Sequence, residues 1–172
     1  VLEALAYVYS HWSIDLDRVH LTGTSMGGFG TFQIGARRPD LFATARPLCG
    51  GGLHVPLGNM LNLPTLALHS RDDRTVPIVY ARGAIDALDR LGGMAALDET
   101  DGVGHAIGKY TEGAERALDW AMAQSRAPWV DRVRYTALDE FAREAYWATV
   151  EEWGPDGRYG WVEQCEQRFG MI

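Results

Sequence analysis

The stretch Gly23-Thr24-Ser25-Met26-Gly27 has the spacing G-x-S-x-G. A serine hydroxyl becomes a useful nucleophile when a neighbouring base takes its proton. It must also stand on a sharp turn to reach a carbonyl carbon. A strand-to-helix turn provides both conditions. The backbone at the serine is strained, and the residues two before and two after it pass close to neighbouring backbone, so small side chains are required there. Gly23 and Gly27 occupy those positions. The turn also aims the next backbone N–H, that of Met26, toward a developing oxyanion, and the helix start adds a favourable dipole. Five residues alone are weak support. The context adds weight: Arg18 to Thr22 (R-V-H-L-T) reads as a short strand leading in, and a helix leads out from Met26.

Such a serine needs a base and an acid, in the chain order Ser, then Asp or Glu, then His, each in a loop just after a strand. Pro64 to His69 reads as a strand and is followed by Ser70-Arg71-Asp72-Asp73-Arg74. Ala95 to Thr100 reads as another and is followed by Asp101-Gly102-Val103-Gly104-His105. His105 is the candidate base, taking the Ser25 proton and returning it to the leaving group. An aspartate would fix its tautomer and stabilise its charged form. Asp72 and Asp73 are equal candidates on spacing, and the other is expected to be a solvated carboxylate paired with Arg71 or Arg74. His20 within a strand, His11 in a helix and His69 at a strand end read as structural. Cys49, Gly50 and His54, in and after the glycine loop, are candidates to line a substrate site.

The elements that must position these groups alternate. Val1–Trp12 reads as a helix. The Arg18–Thr22 strand and the Gly23–Gly28 turn follow, then a helix through Arg37, stopped before Pro39. Thr44–Leu48 is a strand, and 48–63 is a loop with a short helical turn. After the Pro64–His69 strand, Val76–Leu91 reads as a helix with Pro77 in its first turn and Gly92-Gly93 at its end. The Ala95–Thr100 strand and a Tyr110–Gln124 helix complete the series. Short apolar strands alternating with helices specify a parallel sheet with right-handed crossovers. Composition shifts near Ala127-Pro128. Trp129, Trp147, Trp153 and Trp161 lie beyond it, four of the six tryptophans. Two readings compete for this tail. One is a helix capped by the Thr136–Asp139 stretch and running through Phe141, Ala145 and Tyr146. The other is a β-module with strands at Arg132–Thr136, Tyr146–Glu151 and Tyr159–Val162. Gly154-Pro155-Asp156-Gly157 is a turn in both.

The chain has 172 residues, 47% hydrophobic and 23% charged, with net charge −7. These are values of a globular protein with a sizeable core. The acidic balance argues against nucleic acid as partner, and no apolar run approaches the roughly 18 residues of a membrane span. Cys49 and Cys165 form neither a disulfide framework nor a metal pattern and are expected to be unpaired thiols. Helical periodicity is already under way at Val1, Leu2, Leu5, Ala6 and Tyr9, so a fragment is expected, with compartment left open.

The run Asp17-Arg18-Val19-His20-Leu21-Thr22-Gly23-Thr24-Ser25-Met26-Gly27-Gly28 resembles the polyhydroxybutyrate-depolymerase/feruloyl-esterase and prolyl-oligopeptidase-like ("predicted peptidase") branch of the α/β-hydrolases. Pro39-Asp40-Leu41-Phe42-Ala43 with Pro47-Leu48-Cys49-Gly50-Gly51-Gly52 is similar to a second run of that group. His69-Ser70-Arg71-Asp72-Asp73-Arg74-Thr75-Val76-Pro77 is similar to its H-G-x-x-D-x-x-V-P motif, and Gly104-His105 to its G-H pair. The resemblance covers about residues 17 to 124. It implies Asp73 as the acid, with Asp72 set aside. Two positions depart from the pattern. Ser70 replaces a glycine near the turn that aims Asp73. Ala106 and Ile107 follow His105 where a polar residue and an aromatic are usual, which bears on substrate preference. The tail is similar to the start of a β-module attached to some of these proteins, which favours strands.

The resulting expectation is the C-terminal half of an α/β-hydrolase sheet over residues 1–127, followed by the start of an accessory module over 128–172. Its function is that of a serine hydrolase forming an acyl-enzyme on an ester or peptide bond, in a small-molecule or polymer substrate, without metal or organic cofactor. The alternatives are an acyltransferase using the same triad and a non-catalytic binding module. In this fold the second oxyanion donor comes from a loop after the third strand. With four strands before the tail and the elbow after the first, that donor and the preceding sheet half are expected to be absent. The chain alone is then expected to be inactive, and its first strand becomes an open edge.

Overall fold

The computed structural model describes residues 1–139, 142–152 and 160–166. Four strands, β1 (His20–Thr24), β2 (Thr44–Leu48), β3 (Thr65–Ser70) and β4 (Ala95–Thr100), form one parallel sheet in that order. Helices α1 (Leu2–His11), α2 (Met26–Arg37), α3 (Val79–Arg90) and α4 (Thr111–Met122) alternate with them. Side chains of a strand point to opposite faces in turn. Leu21, Ala45 and Ala67 therefore share one face and pack with Phe32 and Ala36 of α2 and Ala84, Ile85 and Leu88 of α3. Leu68 points the other way and packs with Cys49 and Ile107. Strand β1 pairs only with β2 among the described residues, so it is a sheet edge, as expected. Among the described residues no helix is long and apolar enough to cross a membrane.

Three boundaries differ from the sequence reading, each for a local reason. The Asp15 carboxylate accepts the Asp17 N–H at 3.0 Å and winds Leu16–Arg18 into one 3-10 turn. The first strand therefore starts at His20 and runs on to Thr24, and the expected Gly23–Gly28 turn shrinks to a single residue, Ser25. Pro77 lies outside α3 rather than in its first turn. Its carbonyl accepts the Tyr80 N–H at 3.1 Å, forming a turn that delivers the helix at Val79. The end of α3 is as expected: the N–H groups of Gly92 and Gly93 bond back to the Asp89 and Leu88 carbonyls at 2.8 and 2.9 Å. The helical turn in the 48–63 stretch is Leu57–Met60.

The tail is built of strands, and the helix through Ala145 does not form. Strand β5 (Arg132–Ala137) pairs antiparallel with β8 (Gly160–Glu166), while β6 (Glu144–Ala145) and β7 (Ala148–Thr149) make a tight hairpin. The single strand expected at Tyr146–Glu151 is broken because Tyr146 takes a left-handed backbone, φ 58°, in the hairpin turn. The turn at 154–157 lies outside the described residues, as does Phe141. Val133, Tyr135, Ala137, Ala145, Ala148 and Val150 form an apolar cluster distinct from that of the sheet. Asn59 joins the two parts. It is 2% exposed, and its amide donates to the Ala36 and Thr136 carbonyls at 2.8 and 2.9 Å while accepting the Thr136 N–H at 2.7 Å. Tyr135 adds a hydroxyl shared between the Arg37 and Ala142 carbonyls at 2.7 and 2.9 Å.

Candidate active site

Ser25 sits between the last residue of β1 and the first of α2, with φ 57° and ψ −116°. A positive φ at a residue with a side chain is strained. Two bonds hold it there: Ser25 N–H donates to the Leu48 carbonyl at 2.9 Å, and the Ser25 carbonyl accepts the Phe29 N–H at 3.1 Å. Met26 follows as the first residue of α2, where backbone N–H groups lack an intrahelical partner. Met26 is 86% exposed and leaves the turn at Ser25 open.

The expected pair of elbow glycines divides. A Cβ at Gly23 would lie 2.3 Å from the Gly27 carbonyl oxygen, whereas one at Gly27 would meet nothing within 4 Å. The close approach is thus one-sided: Gly23 must be small because the Gly27 backbone is beside it, and Gly27 need not be. A second tight crossing was not read from the sequence. A Cβ at Gly28 would lie 2.4 Å from the Leu48 carbonyl oxygen, and one at Gly50 the same distance from the Gly28 carbonyl carbon. Gly50 is therefore buried under α2 and spaces the helix from β2. That replaces the expectation that it lines a substrate site.

Strands β3 and β4 end beside the elbow, and their loops carry the other two groups. His105 Nε2 lies 2.9 Å from Ser25 Oγ, and His105 Nδ1 lies 2.8 Å from Asp73 Oδ2. An ionised carboxylate only accepts, so Nδ1–H donates to Asp73 and Nε2 is left to accept the serine proton. Asp73 Oδ1 accepts the N–H groups of Thr75 and Val76, both at 2.9 Å. The Asp73 side chain is fully buried, while that of His105 is 30% exposed. Burial pushes the Asp73 carboxyl up. The His105 hydrogen bond, the two backbone N–H groups and the imidazole charge outweigh it, and the net direction is below the usual carboxylate range.

Asp72 is exposed, as expected, but it is not paired with arginine. Its Oδ1 accepts the Ser70 hydroxyl and the N–H groups of Gly102 and Gly104 at 3.1 and 3.3 Å. Arg71 turns instead to Glu99 at 2.7 Å and Asp101 at 2.5 Å. Arg82 also binds Glu99, and hydrogen bonds from Arg82 and then Arg71 pull the Glu99 carboxyl down to about 2. Ser70, the departure from the resembling motif, is fully buried at the end of β3.

His69 does more than its reading as a structural residue implied. Its ring is completely buried, and Nε2 lies 2.8 Å from the Val76 carbonyl and 3.4 Å from Asp73 Oδ2. It backs Asp73 from inside the sheet. The signal available was its place four residues before Asp73. Cys49 lies beneath Asp73 and His105 rather than lining an open pocket: it is wholly buried and packs on Leu68 and Ile107. Burial pushes its thiol up, the Ser25 backbone pulls it down, and Asp73 adds an upward push, leaving it raised. Its sulfur, Asp73 and His105 are the one set of donor atoms among the described residues close enough to surround a metal, within 4.8 Å of one another. Two of the three are already bonded to each other. Ile107 is 1% exposed and anchors the base loop, so this departure from the motif serves packing. His54 stands apart, in a pocket of about 210 Å³ with Gln33, Arg37 and Leu138. A larger cavity, about 280 Å³, lies between α4 and the starts of β3 and β4. Ser25, Asp73 and His105 lie at the carboxyl ends of the strands, where open α/β sheets place their chemistry.

No family model matches the chain, and no curated protein matches it. Solved structures do. A thermostable esterase is 29% identical, over 73% of this chain and 36% of its own, with a TM-score of 0.68. Esterase PE8 is 24% identical over 71% of this chain and 59% of its own, at 0.59. A Pyrococcus horikoshii acylaminoacyl peptidase is 19% identical over 67% and 24%, at 0.52, a likeness of fold alone. This chain spans less than two thirds of the length of each. The parallel sheet, its flanking helices and these likenesses define an α/β-hydrolase fold. In fold the chain is similar to the α/β-hydrolase superfamily.

Proposed function

We propose that Ser25, Asp73 and His105 form the catalytic triad of a serine hydrolase acting on an ester, with an amide bond as the less favoured substrate. The observation that carries this reading is the unbroken hydrogen-bond chain from Ser25 Oγ through His105 to buried Asp73. His105 Nε2 takes the hydroxyl proton as the Ser25 Oγ–carbon bond forms. The Met26 N–H stabilises the oxyanion. The C–O bond to the leaving group then breaks, and His105 returns its proton to that group. Water repeats the sequence on the acyl-enzyme and frees Ser25. Asp73 keeps the imidazole in the tautomer that accepts at Nε2. The esterase likenesses support ester over amide. Residues 128–172 are proposed to begin an accessory module, on the strength of their separate apolar cluster.

The test is labelling of the intact protein by a fluorophosphonate probe. The wild type is expected to be labelled at Ser25 and Ser25→Ala not at all. Equal labelling of the two sinks the reading.

A further inference from the structure

The loop carrying the acid and the loop carrying the base are tied together by a side chain that touches neither Ser25 nor the His105 ring. Asp72 Oδ1 gathers three donors: the Ser70 hydroxyl, the Gly102 N–H and the Gly104 N–H. Gly104 is the residue directly before His105. We propose that Asp72 is a positioning residue, whose carboxylate clasps the Gly102–Gly104 backbone and thereby fixes where His105 enters between Ser25 and Asp73. This rests on the serine-hydrolase reading of those three residues.

The need for such a clasp follows from the geometry. His105 must satisfy two bonds at once, 2.9 Å to Ser25 and 2.8 Å to Asp73. Its loop contains two glycines in the three residues before it, and glycine brings the largest backbone freedom. On the inner side Val103 and Ile107 hold the loop against Leu68 and Cys49. On the outer side Asp72 binds its N–H groups. Hydrogen bonds to an ionised acceptor are about twice as strong as neutral ones. The Ser70 hydroxyl, absent from the glycine of the resembling motif, holds the carboxylate in turn, and Ser70 is itself immobilised in the core. The neighbouring Arg71–Asp101 pair spans the same two loops but is solvent-exposed, where ion pairs contribute little. A displacement of about 1 Å in a reacting group can cost about a hundredfold in rate. The two adjacent aspartates thus divide the work: Asp73 holds the ring, and Asp72 holds the loop that carries it.

The experiment compares the intact wild type with Asp72→Ala and Asp72→Asn. Asp72 is exposed, and in the alanine variant the buried Ser70 hydroxyl still has the Thr100 carbonyl, at 3.4 Å, as an acceptor. The readouts are fluorophosphonate labelling of Ser25, separated into probe binding and inactivation rate, and amide hydrogen exchange at Gly102 and Gly104. Asp72→Ala is expected to slow the inactivation step roughly 10- to 100-fold with unchanged probe binding, and to speed exchange at both glycines. Asp72→Asn keeps an oxygen acceptor without the charge and is expected to recover most of the rate and the protection. An alanine variant labelled as fast as the wild type overturns the proposal. So does an asparagine variant as slow as alanine, because the effect would then be charge and not position. A wild type unlabelled at Ser25 defeats the serine-hydrolase reading separately. Exchange then judges the clasp alone: lost protection in Asp72→Ala upholds it, and unchanged protection refutes it.

Discussion

Asp72 and Asp73 are adjacent and of one residue type, yet the end of β3 sends their carboxylates to different tasks. Asp73 turns inward, where two backbone N–H groups and His105 keep it ionised despite burial. Asp73→Asn is expected to lower the Ser25 labelling rate by about 10³- to 10⁴-fold with the fold intact, since an amide NH₂ facing Nδ1 favours the wrong tautomer. Asp72→Asn should lose far less, and labelling kinetics of the two variants side by side check the division. The elbow glycines separate in the same way. Gly27→Ala meets open space and replaces a poor helix former, so stability is expected to be unchanged or up to about 1 kcal/mol higher. Gly23→Ala drives a Cβ into backbone and is expected to destabilise strongly and abolish labelling. Urea unfolding of the two proteins distinguishes them. Order and spacing made Ser25 and His105 legible in the sequence. They could not separate the two aspartates, because the direction of each side chain depends on a turn closed by partners thirty residues away.

At the scale of elements, the strands and helices of the sheet followed from periodicity to within a few residues. Errors fell where a side chain overrode the pattern, as Asp15 does by winding Leu16–Arg18 and moving the start of β1. The tail was harder, since residues 136–149 suit either a capped helix or strands. Burial within the tail's own cluster and a tie to the first part decided between them: Tyr135 and Ala137 of β5 pack with Ala145, Ala148 and Val150, and Asn59 binds the β5 backbone. Asn59→Ala is expected to cost roughly 2–3 kcal/mol, because it leaves the half-buried Thr136 backbone groups and the buried Ala36 carbonyl short of partners. Chemical denaturation measures that loss. If the tail docks only loosely, the cost will fall below about 0.5 kcal/mol, the range of ordinary surface substitutions.

For the whole molecule, the net charge of −7 and the ion pairs spanning the β3 and β4 ends make stability depend on acid. The folded Glu99 carboxyl lies at about 2, below its ordinary 4.5. A depressed folded value gives stability that is fully present above about 4.5 and is lost as pH falls toward 2. Asp73 and Asp72 shift in the same direction. Urea midpoints are therefore expected to drop between pH 5 and pH 3, and to drop less in Glu99→Gln. An equal drop in both proteins would show that Glu99 is not linked to folding. By itself the sequence determined the alternation of strands and helices, the turn at Ser25, the order of Ser25, the aspartate pair and His105, and the break in composition before the tail. These are local patterns, or patterns of order along the chain, and they need no knowledge of what lies across the sheet. Spacing left two aspartates open and a resembling motif pointed to Asp73; only the tertiary structure decided what Asp72 holds, that Cys49 and Gly50 lie beneath the site, and that His69 backs Asp73. Those outcomes depend on distances of about 3 Å between residues far apart in the chain, and sheet register and loop packing set such distances.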